Sequence, residues 1–144
     1  MATMNEMYQS IIIEHDRSPR NFRVIETPTH HAEGRNPLCG DEVSLDLVVS
    51  PDGVITDVAF QGSGCAVSKA SSSMLTMAVK GKTVTEALEL FEQFHAMLTG
   101  KDADQSALGK LVAFQGLGVY PMRVKCATMG WHVLKEALGG SRES

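Results

Sequence analysis

The chain has 144 residues, 43% of them hydrophobic and 21% charged, which suits one globular domain with enough apolar side chains for a core. Thirteen Lys and Arg against seventeen Asp and Glu leave a formal charge of -4, which argues against nucleic acid as a partner, since a phosphate-binding surface needs concentrated cations. No apolar run approaches the roughly 18 residues of a membrane span. Met1 to Ser10 lacks the basic region and apolar stretch of a secretory signal, and three cysteines cannot all pair within one chain. The expectation is a cytoplasmic protein with reduced thiols and no membrane contact, a single domain over 1–144 whose residues 139–144 fray.

Met4, Met7, Tyr8, Ile11, Ile12 and His15 recur at helical spacing and predict an amphipathic helix from Met4 to Arg17, ended by Ser18-Pro19. From Asn21 to Asp41 no period is visible among Pro28, Gly34, Pro37 and Gly40, so this stretch reads as a long irregular loop, the kind that in small domains carries function. Val43, Leu45, Leu47 and Val49 then alternate with polar residues. Pro51-Asp52-Gly53 turns, and Val54, Thr56, Val58 and Phe60 alternate again, which is a β-hairpin. Gly62-Ser63-Gly64 ends it, and a helix rich in small residues follows from Ala66 to Lys80. Thr83 and Glu86 form a capping-box pattern ahead of a stripe of Ala87, Leu90, Phe91, Phe94, Met97 and Leu98. After a polar loop, Lys101 to Asp104, a short helix is expected near Ala107 to Phe114. Gly116, Gly118 and Pro121 break the chain before a last helix from about Val124 to Leu138.

The hairpin has a consequence for chemistry. If Ser50 faces Val54 across the turn, then Val43 faces Gln61 and Cys39 falls opposite Cys65, with Asp41 beside them at the same open end. Cys65 and Cys126 each stand at the predicted start of a helix, where the positive end of the dipole favours a thiolate. Three thiolates and a carboxylate could hold zinc or iron in a sulfur-rich tetrahedral site. Three unrelated buried cysteines, packed as small hydrophobes, fit the spacing as well.

Other motifs carry less. Gly62-Ser63-Gly64 follows a strand as a dinucleotide-binding turn would, but its third glycine is missing and the preceding strands read as antiparallel. Gly81-Lys82-Thr83 resembles the end of a P-loop, yet Thr76 stands where the first glycine belongs and no strand precedes it. A cysteine hydrolase would need a base from among His15, His30, His31, His95 and His132, and the sequence sets none beside a particular cysteine. His95 and His132 lie on amphipathic helices, while His30 and His31 read as loop groups that could support a site.

Pro37-Leu38-Cys39-Gly40-Asp41, Gly62-Ser63-Gly64-Cys65-Ala66-Val67-Ser68 and Arg123-Val124-Lys125-Cys126-Ala127-Thr128 resemble the three motifs of the NifU/IscU superfamily of iron–sulfur cluster assembly proteins. The resemblance runs from the helix at Met4 to the helix ending near Leu138. It is to the SufU branch in particular. Lys125 stands where IscU-type scaffolds carry a histidine, and Thr83 to Gly118 supply the longer segment that SufU-type proteins have between the second and third cysteines. The resemblance implies an α+β fold, a SufE/NifU-like sandwich of a small antiparallel sheet of about three strands covered by about five helices, its third strand in the segment before Asp41. It implies one zinc ion on Cys39, Asp41, Cys65 and Cys126, with Cys39 accepting persulfide sulfur from a cysteine desulfurase and passing it to a cluster scaffold or another acceptor. Arg123 matches a basic residue of the third motif, and it and Lys125 would support the loop or the partner. On the same ligands, the alternative is a scaffold that holds iron or a labile [2Fe–2S] cluster. A third reading is a structural zinc or regulatory interaction module.

Overall fold

The computed structural model describes residues 4–36 and 40–139, apart from the side chains of residues 4–8 and 105. Helix α1 (Met4–Arg17) comes first, followed by strands β1 (His30–Asn36), β2 (Asp41–Val49) and β3 (Ile55–Ser63). Helices α2 (Ala66–Val79), α3 (Val84–Leu98) and the single turn α4 (Gln105–Leu108) follow, then a 3-10 segment (Gly109–Val119) and α5 (Pro121–Ala137). The strands form one antiparallel sheet in the order β1-β2-β3. The fold is α+β, a three-stranded sheet with five helices.

One face of the sheet makes the core. Val43, Leu45 and Leu47 of β2 are buried beside Val58 and Phe60 of β3, while Glu42 points to solvent and Ser44 and Asp46 are only half-buried. That is the period-two pattern of a sheet with one covered face. Helices α5 and α2 lie on this face, α5 across β1 and β2, α2 against β3. Helix α1 packs on α2, and α3 closes the far side of α5. Trp131 of α5 is fully buried, its ring stacked on Phe94 at 5.1 Å and 30°.

Several expectations change. The stretch that periodicity reads as a loop contains β1, the third strand that the resemblance puts before Asp41, paired with β2 from His30↔Leu47 to Asn36↔Asp41. It escapes periodicity because Ala32 is its one buried apolar side chain and Gly34 faces α5, where a Cβ would lie 2.5 Å from Val133. The hairpin register is displaced by one residue. Val49 pairs with Ile55 but Val48 pairs with Asp57, so Thr56 is an extra residue on β3, a β-bulge. Val43 therefore faces Gly62, not Gln61, and the register no longer sets Cys39 against Cys65. The last helix begins earlier than expected. Pro121, read as a breaker, is its first residue, where a fixed φ suits the helix and the missing N–H is not needed. Cys126 is therefore in the second turn of α5, away from the N-terminal end that favours a thiolate. His30 and His31 belong to β1 at the end remote from Asp41, with His31 on Asp46. The capping box is present as expected, Thr83 Oγ1 accepting from the Glu86 N–H and Glu86 from the Thr83 N–H. The expected fray of 139–144 falls, beyond Gly139, outside the described residues.

Candidate metal centre

Three of the four predicted ligands converge. Asp41 opens β2, Cys65 caps α2 and Cys126 lies on α5, and their ligand atoms all stand within 4.8 Å of one another. Asp41 is 0% and Cys126 3% exposed, while Cys65 is half-buried. Cys39 lies outside the described residues, two positions before Asp41 in the segment 37–40 that joins β1 to β2.

Local backbone chemistry aims each group. The Cys65 N–H donates to Asp41 Oδ1 at 2.8 Å. The thiol of Cys65 stands 3.7 Å from Asp41 Oδ2. The Ser68 N–H points at Cys65 Sγ at 3.4 Å, so the sulfur takes the N-cap role usually filled by an oxygen and lies on the positive end of the α2 dipole. Gly64 permits the arrangement. Its φ is +145°, and a Cβ there would stand 2.1 Å from Asp41 Oδ1. Any side chain at 64 would push the carboxylate off its bond to Cys65. This positioning role was not assigned from sequence, although a glycine directly before a motif cysteine was its visible signal.

The donor set fits a metal ion. Ligands about 2.0 to 2.3 Å from a tetrahedral centre lie roughly 3.3 to 3.8 Å from one another, and Cys65 Sγ and Asp41 Oδ2 stand at such a separation. Two sulfurs and one oxygen would supply three of the four ligands of such a site. Among the described residues this is the one such group of three or more His, Cys, Asp or Glu. Arg123 and Lys125 are exposed on the first turns of α5, Arg123 one turn before Cys126 on the same face. His95 and His132 are elsewhere, set edge-on against Phe91 between α3 and α5.

The profile of the NifU-like N-terminal domain matches residues 7–139. The chain belongs to this family. Within the NifU/IscU superfamily it falls in the SufU branch. It is 37% identical over 138 residues to the zinc-dependent sulfurtransferase SufU of Bacillus subtilis, a match covering 95% of this chain and 92% of that one. It is also 37% identical over 139 residues to the iron–sulfur cluster assembly scaffold protein IscU of Streptococcus pyogenes, covering 96% and 86%. Among solved structures, the putative cluster assembly scaffold protein for the SUF system of Fervidobacterium islandicum superposes with a TM-score of 0.87 at 36% identity, over 94% of this chain and 99% of that one. The SufU-type features, Lys125 before the third cysteine and α3 with its following turns between the second and third, agree with that placement.

Proposed function

We propose that the chain is an iron–sulfur cluster assembly protein of SufU type, a zinc-dependent acceptor of persulfide sulfur from a cysteine desulfurase in the cytoplasm. The observation that carries this reading is the convergence of Asp41, Cys65 and Cys126, with Asp41 two residues from Cys39 in sequence. Cys39 completes the ligand set. Zinc held there would keep its sulfur ligands as thiolates at neutral pH and undergo no redox change itself.

The transfer is a thiol–persulfide exchange. The Cys39 thiolate attacks the outer sulfur of the desulfurase persulfide and forms a new S–S bond. The enzyme's own S–S bond breaks, its cysteine leaves as the thiolate, and the persulfide proton stays on the transferred sulfur. No outside oxidant or reductant is consumed. Asp41, the one hard ligand and held at one oxygen by the Cys65 N–H, keeps the set exchangeable. The partner docks on the face around Cys39, Cys65 and Cys126. At the start of the helix that carries Cys126, exposed Val119, Tyr120 and Met122 offer apolar contact and Arg123 and Lys125 offer charge.

Metal analysis of protein purified with and without oxygen tests the metal, and mass spectrometry after incubation with desulfurase and cysteine tests the transfer. The expected result is about one zinc per chain in both preparations. Wild type gains the mass of one sulfur atom and Cys39→Ala gains none. Asp41→Ala retains less zinc. Iron with acid-labile sulfide in the anaerobic sample alone would make the chain a [2Fe–2S] scaffold instead, and sulfur uptake by Cys39→Ala would remove Cys39 from the reaction.

A further inference from the structure

A second concave site lies well along α2 from the metal centre. A cavity of about 380 Å³ opens between α1, the C-terminal half of α2, α3 and the α4 turn. That is within the range of small-molecule sites, about 300–1,000 Å³. Its apolar wall is aliphatic, with Ile11, Met74, Leu90 and Leu111 among its residues, and Met77 stands at its edge 53% exposed. Met74 and Met77 are unbranched and adapt to an aliphatic chain. The polar part is cationic. Arg20, Lys82 and Lys110 line it against one carboxylate, Glu14, which is paired with Arg20 at 3.0 Å. A net positive lining in a chain of formal charge -4 favours an anion.

His15 sharpens the chemistry. It is 5% exposed and lines this cavity, and its Nδ1 is 2.7 Å from Ser73 Oγ. Ser73 Oγ already accepts the Arg20 N–H at 2.8 Å. Among the described residues no other group takes the Ser73 hydroxyl proton, so that hydroxyl donates to Nδ1. A neutral ring with Nδ1 accepting carries its proton on Nε2. Burial, followed by the charge of Arg20, holds His15 below its ordinary range and keeps it neutral. Nε2–H is therefore a donor on a buried side chain with no partner among the described residues, beside a group of cations and an aliphatic wall.

We infer that this cavity binds a medium-chain aliphatic carboxylate, its carboxylate received by His15 Nε2–H and Lys110 and its chain laid along Met74, Met77 and Leu90. The inference does not depend on the metal centre. The probe is octanoate, with octanol as its uncharged counterpart, followed by NMR of methionine methyl groups in the full chain. Octanoate should shift the Met74 and Met77 signals saturably and leave Met122, on α5, in place. Octanol should bind about tenfold more weakly or worse, and Lys110→Glu should weaken octanoate about tenfold without changing octanol. Ala107→Leu, an exposed position on the cavity's rim, should weaken both ligands while leaving the fold intact. Equal binding of octanol and octanoate, or shifts that do not saturate, or shifts at Met122 as large as those at Met74, would each overturn the proposal.

Discussion

Helices α2 and α3 both pack against α5, and they do so by opposite means. Helix α2 presents Ser71 and Ser72, both fully buried, and approaches so closely that a Cβ on Gly130 would lie 2.6 Å from Ser72 Oγ. Ser71 Oγ donates to the Ala127 carbonyl at 2.5 Å and accepts from Trp131 Nε1 at 3.3 Å. Helix α3 presents Phe91 and Phe94, stacked on Trp131 at 6.3 and 5.1 Å, with Phe114 edge-on to Phe94. Hydrogen bonds and backbone-close contact fix direction and distance. Apolar area is non-directional and supplies free energy without much geometry. The division follows the chemistry, because α2 and α5 carry Cys65 and Cys126 while α3 carries no ligand of the site. The helices whose spacing sets the metal centre are joined by the precise contacts, and the covering helix is joined by bulk.

The largest expected effect breaks the bulky side. Phe94→Ala should cost about 3–5 kcal/mol in denaturant unfolding, for it removes a fully buried ring and leaves a cavity beside Trp131. The folded fraction should retain the metal content of wild type. If metal is lost in proportion to stability, the two interfaces are not separable in the way proposed. Gly130→Ala breaks the precise side. Overpacking there should cost about 1–3 kcal/mol and, by pushing α5 from α2, lower metal retention in protein that is still folded. Ser72→Ala sharpens the test. Ser72 Oγ is buried without a partner among the described residues, so its removal alone should be nearly neutral. With Oγ gone, the nearest atom to a Cβ at 130 is Ser72 Cβ at 3.5 Å, an ordinary contact. The double variant should therefore recover most of what Gly130→Ala loses, and additive effects in the cycle would refute the contact.

The same contrast explains what could be read without coordinates. The apolar stripe of α3, its capping box and the alternation of β2 are local patterns, and they were legible residue by residue. So were the three residues that converge, because Asp41, Cys65 and Cys126 sit in recognisable surroundings. Strand β1 was not legible, since an edge strand of His, Glu, Gly and Arg buries only Ala32 and leaves no alternating signal. The bulge at Thr56 was hidden for a similar reason: one residue of slip changes no composition but moves every pair beyond it. The start of α5 was missed because proline reads as a breaker from one side and as a first helical residue from the other. Contacts between residues distant in sequence, such as Ser71 with Trp131 or Gly64 with Asp41, depend on packing that no local window contains.

The smallest effect expected is a slope in pH, and it probes the other flank of α2. Helix α1 is fastened to α2 through His15 and Ser73, again by a hydrogen bond on a buried serine. Burial holds His15 below its ordinary value near 6.5; Arg20 and Lys110 act in the same direction and Glu14 opposes them. The unfolded chain therefore binds a proton at a pH where the folded chain does not. The His15 contribution is fully present above pH 6.5 and is lost as pH falls from there through the lowered folded value. Protonation would occur at Nδ1, which then could no longer accept from Ser73. Urea midpoints measured from pH 8 down to pH 5 should fall on the acid side in wild type, and the fall should be shallower in His15→Gln, whatever that variant costs at pH 8. His31, held above its ordinary range by its bond to Asp46, contributes with the opposite sign in both proteins and cancels in the comparison. Equal slopes in the two proteins would mean that His15 takes its proton without disturbing the contact, and that α1 is held to α2 by apolar packing alone.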